Sequence, residues 1–188
     1  MLSQKYHLRM TSATPDHIGQ ILAQWRRERP DLDVAPMGLL GRLFRVVQLA
    51  DATLTKSLAD RYGLQPGWFD LLAALRRAGA PYELNPTQLT RATMLSSGGM
   101  TKRLDRMAEA GLVERRADPA DRRGTLVRLT RRGRSTIDKA VAAHLANEDR
   151  LLRSLSAADR RALDQLLRTL LADLEATGSS QDGHPTMR

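Results

Sequence analysis

The arginines are the residues of this chain best suited to chemistry, and they bunch. Arg115, Arg116, Arg122, Arg123, Arg128, Arg131, Arg132 and Arg134 surround Gly124, in a stretch whose only carboxylates are Glu114, Asp118 and Asp121. A guanidinium presents a planar fork of donors that matches phosphate oxygens and base edges. The simple alternative is a solvated loop. The cluster is framed by short apolar runs and centred on "DPADRRG", which has the proline, aspartates and glycine of a hairpin tip. That arrangement points to a basic hairpin that meets a polyanion.

Other chemistries are poorly served. There is no cysteine, which excludes disulfides, thiolate nucleophiles and cysteine-ligated zinc. No Gly-x-Ser-x-Gly elbow, His-Glu-x-x-His pair or phosphate loop of Walker type is present. Of the four histidines, His7, His17, His144 and His184, only His144 has a carboxylate one helical turn away, Glu148. A helix-surface pair explains it better than a metal site. The chain is not expected to be an enzyme, and no cofactor is expected.

Composition bounds the partner. Among 188 residues there are 30 Lys+Arg and 21 Asp+Glu, a formal charge of +9. That balance favours nucleic acid or an acidic membrane surface. A membrane-surface role calls for a basic amphipathic helix with bulky anchors, whereas these charges lie in a hairpin and at one helix start. RNA readers commonly offer aromatic stacking platforms, and aromatics are only 4% here. With no signal-like or membrane-spanning stretch, the expected location is cytoplasmic. At 41% hydrophobic residues, the chain can build a real core.

The elements that must carry the arginines follow from punctuation and periodicity. Residues 1–14 read as a tail. Thr14 and Pro15 open a helix that runs to Pro30, with Trp25 on its apolar face. A long helix starts at Pro36 and ends at Gly63, and a third lies between Pro66 and Gly79. Asn85 and Pro86 begin a short helix, and Ser96 or Ser97 caps the next, which ends at Gly111. "LVERRA" and "TLVRLT" follow as strands. Thr130 caps a further long helix, and Ser156 with Asp159 starts the last, which carries a leucine stripe from Leu163 to Leu174. Residues 177–188 read as a second tail.

The fold expected is mainly α with a small β-hairpin. A winged helix-turn-helix domain, residues 63–130, is flanked by N-terminal helices (15–62) and C-terminal dimerisation helices (131–176). The flanking helices carry more apolar face than a small winged domain buries, which favours a homodimer over a compact monomer.

On a helical wheel, Met100, Leu104 and Met107 of the helix ending at Gly111 face the core. Thr101, Lys102, Asp105, Arg106 and Glu109 face outward. Thr101, Lys102 and Arg106 are the side chains expected to reach base edges and phosphates, with Ser97 and Gly98 at the helix start. Arg122 and Arg123 are expected to carry the hairpin into or along a minor groove. Arg103 lies on the flank of the buried side, where a guanidinium needs a partner.

The segment from Leu64 to Arg134 resembles the core of MarR-type transcriptional regulators: a helix pair, "GLVERR", an Asp-Arg-Arg wing and "LT..G". That resemblance implies a homodimer docking on both halves of a palindromic operator, with repression as the expected outcome. A narrower resemblance is to the urate-responsive (HucR/PecS-like) branch. It implies that Trp25, Asp70, Arg103 and Arg115 bind a small anionic aromatic effector such as urate, between the winged domain and the dimer helices. From the residues alone, Trp25 reads as a core or interface tryptophan, Asp70 as a solvent-facing carboxylate and Arg115 as a strand residue sharing a face with Val113. The alternative function is a non-specific or architectural nucleic-acid-binding protein without an effector.

Overall fold

The computed structural model describes residues 16–93, 95, 99–119 and 121–181. They form two compact units, residues 1–53 and 54–188. In chain order the elements are α1 (His17–Glu28), α2 (Ala35–Tyr62), α3 (Trp68–Arg77), β1 (Glu83–Leu84), α4 (Pro86–Ala92), α5 (Met100–Glu109), β2 (Val113–Asp118), β3 (Asp121–Leu129), α6 (Arg131–Leu151) and α7 (Ala157–Gln181).

In the first unit, α1 is capped by Asp16, whose Oδ1 accepts from the Gly19 amide at 2.6 Å. The expected cap and first-turn residues, Thr14 and Pro15, lie outside the described residues. Asp16 also accepts from Arg42 Nε of α2 at 2.8 Å. The Arg42 guanidinium, with the Gly19 amide, holds the Asp16 carboxyl below the ordinary carboxylate range. The long helix begins one residue before Pro36, at Ala35, because Asp33 Oδ1 accepts from the Ala35 amide.

The second unit packs α3, α4, α5 and α6 around one core that the small sheet closes. Leu64, Leu71, Leu72, Leu75, Leu89, Leu104, Met107, Val127 and Ile137 are its fully buried large side chains. α3 and α6 are joined at their edges by Arg76 Nε donating to Asp138 Oδ1 at 2.7 Å. Farther along α6, the buried Asn147 donates through Nδ2 to Ser57 Oγ at 2.7 Å and accepts from Arg150.

The sheet has three antiparallel strands in the order β1-β3-β2, one more than the two-stranded hairpin expected. β1 contributes two residues, Glu83 opposite Arg128 and Leu84 opposite Val127. β3 also begins earlier than expected: residues from Asp121 onward already pair with β2. Asn85 and Gln88 form a reciprocal capping box at the start of α4.

One junction depends on glycine for space. Thr130 Oγ1 accepts from the Gly133 amide at 2.9 Å and donates to the Gly111 carbonyl at 2.7 Å. A Cβ at Gly133 would collide with the Leu112 carbonyl. The first turn of α6 is therefore pressed directly onto the backbone that enters β2.

Candidate nucleic-acid interface

α5 buries Met100, Leu104 and Met107 and exposes Thr101, Lys102, Asp105, Arg106 and Glu109, as the wheel predicts. The core residues recur every three or four positions, so burying them turns the polar side outward. Lys102 and Arg106 make no ion pair among the described residues. Ser97 and Gly98 lie outside the described residues. Gly99 occupies the N-cap position with φ +77°, a left-handed conformation that favours glycine. Local backbone geometry thus accounts for this glycine without a bound phosphate.

The arginine cluster divides by role. Arg128 Nε donates to the Pro81 carbonyl at 3.2 Å. Arg134 stacks over the Tyr82 ring at 4.6 Å, and Arg76 lies over the same ring at 5.2 Å. These contacts tie Arg128, Arg134 and Arg76 to the segment that leads into β1. Arg116 is exposed on β2. Arg122 and Arg123 belong to the first residues of β3, beyond the bulge at Ala117 and Asp118. The same approach of strands keeps residue 124 small: a Cβ there would lie 2.9 Å from Asp118 Cβ.

Of the residues singled out for an effector, Asp70, Arg103 and Arg115 belong to the second unit and Trp25 to the first. Arg115 is exposed, unlike Val113, and its Nη2 donates to Asp105 Oδ1 at 2.7 Å and to the Thr101 carbonyl at 3.4 Å. The strand alternation puts Arg115 on the Val113 face, and its long side chain reaches Asp105 and Thr101 of α5. Arg103 lies two residues from Asp105, about 200° around the helix, so it points to the opposite side of α5. There its Nε rests against the turn before α3, 3.2 Å from where a Gly67 Cβ would stand. Asp70 is half-buried in the first turn of α3 and pairs with neither arginine. Its helical neighbours Ala73 and Ala74 are buried, so its side of α3 is not the open solvent face expected. Trp25 is 42% exposed on α1 of the first unit.

Sequence reasoning missed two features. Asp105 read only as an outward-facing carboxylate, and nothing local links it to Arg115, ten residues away. The cleft beside Gln65 and Trp68 also went unread, because α3 and α5 meet only after folding. Among the described residues, no group of three or more His, Cys, Asp or Glu is placed to hold a metal ion. No described helix is long and apolar enough to cross a membrane.

Residues 62–124 match the MarR family. The chain is 41% identical over 150 residues to the HTH-type transcriptional regulator PecS of Dickeya dadantii, covering 80% of this chain and 90% of that protein. Its fold superposes on that of a mutant of Escherichia coli MarR complexed with operator DNA. The TM-score is 0.63 at 28% identity, over 78% of this chain and 97% of the other. A similar match is to Bordetella bronchiseptica BpsR, whose DNA binding is regulated by 6-hydroxynicotinic acid. There the TM-score is 0.61 at 28% identity, over 69% of this chain and 90% of the other.

Proposed function

The chain belongs to the MarR family of DNA-binding transcriptional regulators, and from that premise we propose that it acts as a homodimeric repressor released by a small planar aromatic anion. The observation that carries the DNA-binding part is α5. Thr101, Lys102 and Arg106 stand exposed on a helix whose other side is locked into the core, and a basic antiparallel hairpin follows directly. Thr101, Lys102 and Arg106 read base edges and phosphates in the major groove. Arg122 and Arg123 extend the contact from the wing. Two copies place two such helices on a pseudo-palindromic site. The surface that joins them is the exposed leucine row of α7, Leu163, Leu166, Leu167, Leu170, Leu171 and Leu174.

The effector reading rests on Trp25, Asp70, Arg103 and Arg115, and on the similarity to a protein regulated by 6-hydroxynicotinic acid. Arg115 is the point of attack. An anionic ligand competes with Asp105 for its guanidinium and so loosens β2 from α5. Arg103, on the same helix, shifts with it. Urate and 6-hydroxynicotinic acid are the ligands of choice for the test.

The test is a footprint on DNA upstream of the protein's own gene, alone and with each ligand. A two-fold symmetric protected region that fades with an aromatic anion supports the whole reading. Protection of random DNA with equal strength favours the architectural alternative. The similarity to regulators, and not to enzymes, makes a catalytic role the poorer reading.

A further inference from the structure

The turn before α3 and the first turns of α5 enclose a cleft of about 330 Å³, lined by Gln65, Trp68, Gly99, Lys102, Arg103 and Arg106. Lys102, Arg103 and Arg106 bring three positive charges to it. None of them has a carboxylate within salt-bridge distance among the described residues. The nearest acid of their own helix, Asp105, shares the outward face with Lys102 and Arg106 and is bonded to Arg115.

Arg103 is the unusual member. Its Nη1 is buried with no hydrogen-bond partner among the described residues. A guanidinium N–H cut off from both water and protein acceptors is costly, so native folds rarely keep one without a role. The turn is shaped to hold the group there. Gly67 has φ +77°, and a Cβ on it would stand 3.2 Å from Arg103 Nε and 3.3 Å from the Leu95 methyl groups. Without a side chain at residue 67, the Arg103 guanidinium lies close against that turn, beside the cleft it helps to line.

Three cations, a Gln65 amide and one orphaned guanidinium donor make a lining suited to an oxyanion. Arginine forks bind phosphate through paired hydrogen bonds. The cleft opens beside Lys102 and Arg106, on the helix assigned to the major groove.

We propose that this cleft seats a phosphate of the DNA backbone, with Arg103 as the group that positions it. The proposal rests on the DNA-binding reading above and adds a register-setting contact to it. The guanidinium that the effector reading moves is then also the one holding the phosphate. Its displacement releases DNA by freeing that phosphate, without any change at the base edges.

The experiment measures affinity for operator and random duplexes against salt concentration in the parent, Arg103→Ala, Arg103→Lys and Gln65→Ala. Arg103→Ala is expected to weaken both duplexes by the same factor and to reduce the salt slope by about one unit. Arg103→Lys restores the slope but not the full affinity, since a lysine supplies charge without the fork. Gln65→Ala weakens both duplexes without changing the slope. In a Trp25→Phe background, Trp68 is the only tryptophan and lines the cleft. Its emission is expected to change when duplex is added. An Arg103→Ala protein that still footprints with unchanged slope overturns the phosphate seat and leaves the regulator intact. A Trp68 response to inorganic phosphate but not to duplex also overturns it, assigning the cleft to a free anion. A parent chain that protects no DNA removes the regulator reading itself, and the seat with it.

Discussion

Arg115 of the first wing strand is bonded to Asp105 of the recognition helix at 2.7 Å, and the same guanidinium nitrogen reaches the Thr101 carbonyl at 3.4 Å. The pair is 37% and 51% exposed at its two side chains. Exposed pairs of this kind contribute about 0.2–1 kcal/mol, so it is an effective latch and a weak brace. Arg115→Ala removes the pair without any ligand, so it is expected to fold, to bind operator more weakly than the parent and to show no further response to the effector. Asp105→Asn leaves Arg115 open to the ligand and is expected to respond at lower ligand concentration. Where the latch couples ligand to DNA, a coupling of roughly 1–3 kcal/mol weakens operator binding about 5–150-fold. Titration of the protein–operator complex with urate and 6-hydroxynicotinic acid checks both variants. An Arg115→Ala protein with the parent's response places the effector elsewhere.

The wing makes a separate prediction. Replacing Arg122 and Arg123 together by alanine is expected to weaken operator and random DNA alike. The salt slope should flatten by about one unit for each phosphate no longer neutralised. Lys102→Ala or Arg106→Ala is expected instead to reduce the preference for operator over random DNA, by about 1–3 kcal/mol where the side chain reads a base. Competition binding at two salt concentrations separates the two behaviours.

Assembly is tested on α7. Leu167→Asp or Leu170→Asp puts a charge in a row of exposed leucines and is expected to shift the protein toward monomer. Operator affinity should fall with it, because one winged domain then engages one half-site. Light scattering at micromolar concentration reads the mass. A stable monomer for the unmodified chain would contradict the dimer.

The Asp16–Arg42 link sets a pH test in the first unit. Because the folded carboxyl sits below its ordinary value of about 3.8, its contribution is fully present above that value and is lost as pH falls through the folded one. Asp16→Asn is therefore expected to lower the melting temperature near neutrality. The difference from the parent should shrink toward zero in strong acid. Thermal unfolding followed by circular dichroism at several pH values measures it.

What could be read in the chain beforehand was what is encoded locally. Asn85 with Gln88, Thr130 before Gly133, and Ser156 with Asp159 all announce helix starts within four residues, and each forms in the fold. The periodic Met100, Leu104 and Met107 likewise fixed which side of α5 faces out. β1 was not legible, because two residues become a strand only when β3 is beside them. Neither was the split of the arginines. Arg128 bonds a carbonyl at residue 81, and Arg134 stacks on a ring at residue 82, each about fifty residues away in the chain. Arg103 fell between: the wheel put it on a flank, but only the bare Gly67 turn explains where it rests.

The contact between Gly133 and the Leu112 carbonyl couples two parts that are otherwise distant in purpose. With no side chain at residue 133 and Thr130 bonded to the backbone at Gly111, the first turn of α6 and the root of the hairpin meet backbone to backbone. A tilt of the hairpin at that root would press on the first turn of α6, a helix of 21 residues. At a rise of about 1.5 Å per residue, the far end lies roughly 30 Å away, so a rotation of a few degrees becomes a displacement of an ångström or more.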